Sequence, residues 1–296
     1  MGFTELASVD GRITPTASAV VPLKDDGLYR GDGVFEVVRI YQDRPFALID
    51  HLDRMVASAD RLHLEFDRAA LERDVEALLG RAAESAPGGD GEQTGGLDAQ
   101  MRLITTRGGR RIAALEPIAN YGETIPVATV RYAPTLILNG VKSLSYAANM
   151  HATRLARETG AEEAVLVTPE GKILEPPTSG IFWVNAEGEL RTTELGAGIL
   201  ASITRERVMR DLEAETGHWP LEDMLGGREA FLVSSTREVQ GVSTIDGQEL
   251  SETAPGPVTR EARRLLAERI ARELDGAATG GTDASGAGAG AATARS

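Results

Sequence analysis

The sequence predicts a mixed α/β fold in two domains, followed by a short unstructured tail. The 296 residues are enough for two hydrophobic cores. Strand-like and helix-like patterns mix along the chain without a regular strand–helix–strand alternation, which favours mixed α/β domains over a doubly wound sheet. A Pro- and Gly-containing stretch at 117–126 separates two such halves. The predicted division is 1–121 for the N-terminal domain, 122–275 for the C-terminal domain and 276–296 for the tail.

The composition excludes several classes of function. A net charge of −14 opposes a nucleic-acid partner, and no apolar run approaches the ~18 residues of a membrane span. Without cysteine the chain has no disulfide or thiolate zinc site, which fits the cytoplasm. Its four histidines lie at no metal-ligand spacing, so no metal is expected. The first residues lack the pattern of a signal peptide.

The N-terminal half begins with a hairpin at Asp10-Gly11 and continues with two strands within 34–49. Asp50 is the predicted cap of a helix whose apolar residues recur at helical spacing. A second amphipathic helix, a Gly-rich surface connection and two further strands complete this half. These elements are predicted at residues 67–83, 84–99, 101–106 and 111–115.

The C-terminal half alternates between the two kinds of pattern, with turn residues between them. Strands are predicted from Val127 and at 164–168, 181–185, 230–234 and 242–245, and helices at 145–159, 204–216 and 258–274. The tail from Gly276 has no apolar residue larger than alanine, which is typical of disorder.

Lys142 is the one charged residue in the neutral run 140–150, just before a predicted helix. Lysine is seldom buried unless it is paired or functional, so an amine between Val141 and Leu144 indicates a nucleophile that forms a Schiff base. The same pattern also fits a surface lysine whose stem packs on apolar neighbours while its ammonium reaches water.

A lysine that binds an aldehyde cofactor of the pyridoxal phosphate kind requires an acid for the ring nitrogen and a cradle for the phosphate. Glu175 precedes two prolines and a predicted strand, a rigid position from which a carboxylate can face a ring nitrogen. An ordinary solvated turn glutamate would show the same pattern.

Three segments offer hydrogen-bond donors to a phosphate. A loop leads into a helix whose first amides, those of Ile203 and Thr204, are free to bind an anion. Ser235 and Thr236 follow a predicted strand, where their hydroxyls and amides can complete an anion nest. Arg54 is a natural bidentate phosphate ligand, although it also fits a surface partner of a neighbour on its helix.

Six ordered motifs together resemble the class IV, or fold type IV, pyridoxal-phosphate enzymes. This family contains branched-chain aminotransferases, D-amino-acid aminotransferases, certain (R)-amine transaminases and 4-amino-4-deoxychorismate lyase. The resemblance covers about residues 8–270. The motifs are 31-GDGVFEVVR-39, 51-HLDR-54, 142-KSLSYAANM-150, 175-EPPTSGIF-182, 203-ITRE-206 and 234-SSTREV-239.

The resemblance implies a small N-terminal α/β domain and a larger C-terminal domain with a barrel-like sheet, which hold pyridoxal 5′-phosphate between them. It also implies a homodimer. Lys142 then carries the cofactor and moves a proton, while Glu175 pairs with the pyridine nitrogen. Tyr146 is placed near the ring oxygen, and the Thr236 N–H near the substrate carboxylate. The implied phosphate ligands are Arg54, the Ile203 and Thr204 amides, and Ser235.

The motifs leave the substrate open. Phe35, Val37 and Arg39 of the first motif are candidate substrate-binding residues, as are Arg102 and Arg110, and Val37 resembles D-amino-acid aminotransferases more than the lyase. Arg102 matches an arginine of branched-chain enzymes, whereas Arg110 resembles a lyase feature that could bind a second carboxylate. Either arginine also fits a solvated strand residue. The sequence departs from the family pattern in two places. Pro176-Pro177 and Gly180 after Glu175 reduce the polar contacts expected around the ring, and the connection 106–112 is shorter than the loop with which many relatives bind the substrate.

From these features we predict a transaminase that acts on a branched-chain or D-type amino acid, or an amine, with a 2-oxo acid as acceptor. The first alternative is 4-amino-4-deoxychorismate lyase, which releases pyruvate and 4-aminobenzoate. The second is a non-catalytic binding protein of the same fold.

Overall fold

The computed structural model describes residues 3–84 and 96–279 of the chain. Their strands form two separate sheets, one before residue 117 and the other after residue 123. The mixed α/β class predicted from the sequence is confirmed. The change of sheet falls next to the predicted boundary between residues 121 and 122, and the division into two domains stays a prediction.

Six antiparallel strands form the first sheet. They are β1 (Leu6–Val9), β2 (Arg12–Pro15), β3 (Gly33–Tyr41), β4 (Arg44–Pro45), β5 (Ala99–Thr106) and β6 (Arg111–Glu116). Their order is β2-β1-β6-β5-β3-β4. The predicted hairpin at Asp10-Gly11 joins β1 and β2, and β3 pairs along its length with β5.

Three helices accompany this sheet: α1 (Asp26–Arg30), α2 (Leu48–Arg61) and α3 (Arg68–Glu84). The prediction that Asp50 caps α2 is wrong, because the helix begins two residues earlier, after Ala47 in a left-handed conformation. Asp50 therefore lies in the first turn, where a carboxylate is favourable to the helix dipole. Most of the predicted Gly-rich connection lies outside the described residues.

The two faces of β3 have different surroundings, and this difference builds the site. Val34, Val38 and Ile40 are fully buried in the core between the sheet and helices α2 and α3. Because side chains alternate along a strand, Phe35 and Val37 point to the opposite face. That face looks toward the second half of the chain.

The second sheet has seven strands and mixes parallel with antiparallel pairs. They are β7 (Thr124–Arg131), β8 (Glu163–Val167), β9 (Gly180–Val184), β10 (Leu190–Thr193), β11 (Glu215–Gly217), β12 (Glu229–Ser234) and β13 (Glu238–Ile245). Their order is β11-β10-β9-β12-β13-β7-β8, and β7 runs parallel to both of its neighbours. The helix predicted for 204–216 is shorter, because its last residues form β11.

Four helices complete the second half: α4 (Ala147–Glu158), α5 (Ile203–Asp211), α6 (Leu221–Leu225) and α7 (Pro257–Thr279). Helix α7 packs its apolar stripe against the stacked rings of Phe182 and Phe231 in the sheet. The first four residues of the predicted tail belong to this helix, and 280–296 lie outside the described residues. In the described part of the chain, we find no helix with the length and hydropathy of a membrane span.

Candidate active site

A cavity of about 430 Å³ lies where the two sheets face each other. Strands β3 and β5 form one wall, and the other walls come from loops and strand ends of the second half. The cavity brings together most of the residues that the sequence singled out. These are Phe35, Val37, Arg54, Arg102, Lys142, Tyr146, Glu175, Ile203, Ser235 and Thr236.

The backbone of Lys142 is held by the first sheet and its helix, although the residue follows the second sheet's first strand in sequence. Its N–H donates to Ser58 Oγ on α2 at 3.2 Å, and its carbonyl accepts from the N–H of Phe35 at 3.0 Å. Leu144 N–H donates to the Gly33 carbonyl at 2.8 Å. Hydrogen bonds on both sides of the lysine therefore fix the direction of its side chain.

The Lys142 amine lies against two aromatic rings at the cavity wall. Its Nζ is 4.5 Å from the ring centre of Phe35 and 5.9 Å from that of Tyr146. Protein atoms surround the amine, and the cavity gives it partial access to solvent. This burial, together with the charge of Arg54, lowers the pKa of Lys142 to about 8. The amine is therefore neutral more often than that of an ordinary surface lysine.

Glu175 contributes a carboxyl group to the same cavity. Its Oε1 accepts a hydrogen bond from Leu200 N–H at 2.9 Å, and burial raises its pKa to about 7 against that hydrogen bond. Two prolines follow, and the hydroxyl of Tyr146 donates to the carbonyl of Pro177. Burial raises the pKa of Tyr146, so this hydroxyl keeps its proton. The tyrosine thus ties the lysine loop to the glutamate loop.

Arg54 is held by a buried carboxylate that the sequence reasoning did not single out. Glu36, fully buried on β3, accepts from Arg54 Nε at 2.7 Å and from a terminal nitrogen at 2.6 Å. The other terminal nitrogen donates to the carbonyl of Ala201 at 2.9 Å. A guanidinium carries five N–H groups. Three are used within the described chain, so Arg54 keeps two donors at the cavity.

His51 links Glu36 to the opposite side of the cavity. Its Nδ1 lies 2.7 Å from Glu36 Oε2 and its Nε2 lies 3.3 Å from Ser235 Oγ. Burial would raise the pKa of Glu36, but Arg54 and His51 outweigh it and hold that pKa at about 2. Burial lowers the pKa of His51, against the opposing influence of Glu36. We refer to Glu36, His51, Arg54 and Ser235 as the Glu36 cluster.

Four backbone amides lie beside this cluster. Ser202 caps α5 by accepting from the N–H of Arg205, and the amides of Ile203 and Thr204 make no hydrogen bond within the described chain. The same holds for the amides of Ser235 and Thr236 in the turn after β12. Free first-turn amides suit an anion. The side chain of Thr204 does not line the cavity, whereas Ile203 does.

Arg102 extends from β5 to the cavity wall, where the carboxylate of Glu116 compensates its positive charge. Its Nε and one terminal nitrogen donate to the two carboxylate oxygens of Glu116 on β6 at 2.7 and 2.9 Å. Gln100 Nε2 donates to the same carboxylate at 2.7 Å. The wall therefore presents a compensated ion pair and not a free positive charge.

Two of the arginines predicted to face the substrate lie elsewhere. Arg39 sits near the end of β3, where it donates to the Ala99 carbonyl at 3.1 Å and pairs with Asp98. Arg110 pairs with Asp10 at the β1–β2 hairpin. Both guanidinium groups are paired with carboxylates in turns and strand ends of the first half, and neither residue lines the cavity.

A second buried ion pair lies behind the wall formed by Thr178 and Thr236. Glu163 accepts from Thr153 Oγ1 at 2.7 Å, from Thr178 Oγ1 at 3.1 Å and from Arg237 at 3.3 Å. Arg237 also donates to Gln240 and lies 4.9 Å from the ring centre of Tyr121. We refer to Thr153, Glu163, Thr178, Arg237 and Gln240 as the Glu163 cluster.

The sequence contained a signal for one of these clusters. Glu36 lies on the core-facing side of β3, between Val34 and Val38. A carboxylate among buried valines requires a cationic partner. Glu163 begins a strand whose five residues are all buried, so no alternation sets it apart, and its partner Arg237 is 74 residues away. The turn before β13 must lie beside β8 before the two side chains meet.

The residues of the cavity fit a cofactor that carries an aldehyde, a protonated ring and a phosphate. Lys142 supplies the amine and Glu175 the carboxyl group, while the Glu36 cluster and the free amides supply anion donors. The hydroxyl of Ser179, which lines the cavity, is buried and takes no hydrogen bond within the described chain. A buried orphan hydroxyl indicates a partner that binds in the cavity.

Comparison with known proteins gives one consistent result. The model of the class IV amino-transferase family matches residues 33–245. A D-alanine aminotransferase of Bacillus licheniformis is 28% identical over 285 residues, which cover 89% of this chain and 96% of the relative. A putative branched-chain-amino-acid aminotransferase of Methanocaldococcus jannaschii is 28% identical over 280 residues, with 86% and 93% covered. A solved fold IV transaminase from Curtobacterium pusillum has a TM-score of 0.77 at 26% identity, with 89% and 99% covered.

Proposed function

Because this chain belongs to the class IV aminotransferase family, we propose that it transfers an amino group between an amino acid or amine and a 2-oxo acid, with Lys142 as the catalytic amine. The protein is an enzyme and its cofactor is pyridoxal 5′-phosphate. One observation carries the proposal. Lys142, with a pKa lowered to about 8, and Glu175, with a pKa raised to about 7, line one cavity beside an anion cradle.

The phosphate of the cofactor belongs at the Glu36 cluster. Arg54 directs two free donors there, and the amides of Ile203 and Thr204 add the positive end of helix α5. Because Glu36 fixes the guanidinium, little side-chain entropy is lost when the anion binds. The local positive site also explains how a chain of net charge −14 holds an anion.

When bound, the cofactor's protonated ring withdraws electrons from the substrate Cα, which stabilises the charge left after proton removal. Glu175 is the group that holds the proton on the ring nitrogen. Its carboxyl group ionises beside the positive ring nitrogen. The hydrogen bond from Leu200 N–H fixes the orientation of the carboxylate.

Lys142 would hold the cofactor's aldehyde group through its amine, and the same amine would move a proton at the substrate Cα. With a pKa of about 8, about one tenth of the amine is neutral at pH 7, against about one in three thousand for a pKa of 10.5. The Phe35 and Tyr146 rings and the backbone clamp restrict the amine to one direction.

The walls favour a donor with an apolar side chain, of the branched-chain or D-type. Phe35, Val37 and Leu138 line this part of the cavity, and Arg102 is already paired with Glu116. A second substrate carboxylate would have to compete with Glu116 for the guanidinium. The proposal includes a homodimer in the cytoplasm, which the family resemblance and the lack of cysteine support.

The first experiment is a panel of L- and D-amino acids and amines tested with 2-oxoglutarate or pyruvate as acceptor. Reversible transfer that requires both substrates supports the proposal. Pyruvate released from aminodeoxychorismate without an acceptor would assign the lyase instead.

The amine can be identified independently, because the chain has three lysines, Lys24, Lys142 and Lys172. We expect borohydride to fix the cofactor to Lys142 and to abolish the near-visible absorbance. Lys142→Ala should lose that absorbance, and the control Lys24→Ala should keep it. Cofactor found on Lys24 or Lys172 would overturn the role of Lys142.

A further inference from the structure

The Glu36 cluster connects a buried carboxylate to the Ser235 hydroxyl through one imidazole ring. From this geometry we propose that His51 is a positioning residue for phosphate binding: Ser235 can donate to the phosphate only when both nitrogens of His51 carry hydrogen. The inference rests on the proposed function, because the phosphate in question belongs to the cofactor.

The direction of the first hydrogen bond is fixed. Glu36 is ionised and has only acceptor oxygens, and its Oε2 lies 2.7 Å from His51 Nδ1. Nδ1 must therefore carry a hydrogen in either charge state of the ring. A neutral His51 then has a bare lone pair at Nε2.

That lone pair determines what Ser235 can do. With Nε2 as an acceptor 3.3 Å away, the hydrogen bond between the two side chains forms only when Ser235 donates its single hydroxyl hydrogen to the ring. Only oxygen lone pairs then face the cavity, and these repel phosphate oxygens. In the neutral state Ser235 is therefore unsuited to bind the anion.

Protonation of Nε2 reverses the arrangement. Nε2–H donates to Ser235 Oγ, so the hydroxyl hydrogen is free to point into the cavity. A bound phosphate then accepts a hydrogen bond from Ser235. It also lies near the positive charge of His51, with only Ser235 between them. By linkage, the anion raises the pKa of His51 and protonated His51 tightens the anion to the same degree.

The charges around His51 come from three directions. Glu36 on β3 favours the charged ring, whereas Arg54 on its own helix and Lys142 from the loop before α4 oppose it together with burial. Ser235 closes the fourth side from the turn after β12. The cluster without ligand thus holds a neutral ring, and an added dianion reverses the balance.

The test is nitrogen-15 NMR of the histidine rings in the full chain, without ligand and with saturating pyridoxamine 5′-phosphate. This form of the cofactor has no aldehyde and does not bond to Lys142. The chain has four histidines, and His51→Gln identifies the signal of His51. We expect an acceptor-type Nε2 without ligand and two donor-type nitrogens with it. A ring that stays neutral at saturation would overturn the inference.

Sulfate gives a matched affinity test, because its charge is constant near neutral pH. Between the pKa values of the free and bound forms, affinity should fall by about tenfold per pH unit in the wild type as His51 loses its proton. Ser235→Ala should reduce the total fall in affinity across this pH range, because the hydrogen bond is lost while the positive charge of His51 remains. An equal total fall in the two proteins would show that the charge acts without the hydroxyl and would also overturn the inference.

The two proposals fail in different ways. Absence of the borohydride-sensitive absorbance on Lys142 contradicts the proposed function, whatever the state of His51. Normal absorbance with a neutral His51 contradicts only the role of the imidazole.

Discussion

Two buried carboxylates each pair with an arginine beside the cavity. Glu36 lies behind the wall that the first sheet forms, and Glu163 lies behind the wall on the side of the second sheet. Glu36 receives two hydrogen bonds from Arg54 and one contact from His51. Glu163 receives one contact at 3.3 Å from Arg237, and its other side-chain donors are threonine hydroxyls.

The arginines differ in what they leave free. Arg54 keeps two N–H groups at the cavity, whereas Arg237 is turned toward Gln240 and the ring of Tyr121. Arg237 Nε is buried and takes no hydrogen bond within the described residues. Burial lowers the pKa of Arg237, which indicates a charge incompletely compensated by Glu163. The same pair of residue types therefore builds an anion site in one place and a structural support in the other.

The largest expected effect follows from Glu36→Ala. Removing this carboxylate leaves Arg54 and His51 without their buried partner, so the free energy of unfolding should fall by about 3–5 kcal/mol. Affinity for pyridoxal 5′-phosphate should also fall by about 100-fold, because Arg54 is no longer oriented. Urea unfolding of the cofactor-free chain and a cofactor titration measure the two effects. An affinity within threefold of wild type would remove the distinction between the clusters.

Acid provides a second test of the Glu36 cluster. The pKa of Glu36 is lowered from 4.5 to about 2. The ionised carboxylate therefore stabilises the folded chain fully above pH 4.5, and this stabilisation is lost as the pH falls toward 2. The loss should be about 3 kcal/mol. Urea unfolding across this pH range should show it in wild type. Glu36→Gln should lack this component, and an unchanged pH dependence in that variant would contradict the assignment.

Glu163→Ala should have a smaller effect of a different kind. Arg237 keeps Gln240 and Tyr121, so we expect a loss of about 2 kcal/mol in unfolding free energy from the unsatisfied donors. Cofactor affinity should stay within about threefold, because Glu163 does not line the cavity. A large loss of affinity without loss of stability would make the second cluster part of the binding site.

The smallest effect is expected when both charges of the second cluster are removed together. The unfolding free energy of Glu163→Gln combined with Arg237→Met should lie within about 1 kcal/mol of wild type, because the cost of burying two charges is removed together with their attraction. The matched change in the first cluster, Glu36→Gln with Arg54→Met, should not recover cofactor affinity. Recovery there would mean that the amides alone hold the phosphate.

The parts of the site that depend on residue types within short motifs could be predicted from the sequence. Lys142, Glu175 and Arg54 stand in short ordered motifs, and the fold brings them to one cavity. The sequence also predicts Arg39 and Arg110 as substrate-binding residues, because the sequence around an arginine does not show which carboxylate lies beside it in the fold. Asp98 and Asp10 engage these two side chains.

The remaining features depend on long-range packing. Ser58, which binds the lysine backbone, is 84 residues before Lys142, and no local pattern connects them. Strand parity could have identified Glu36, because a charged residue on an otherwise apolar strand face requires compensation. No comparable rule applied to Glu163 and Arg237.

The backbone clamp on Lys142 has a mechanical consequence. The backbone of Lys142 is hydrogen-bonded to β3 and α2, whereas the side chain of Glu175 is hydrogen-bonded to Leu200 in the other half. Any rotation of one sheet against the other would change the spacing between nucleophile and acid. The distance between these two side chains would therefore report any change in the angle between the two sheets.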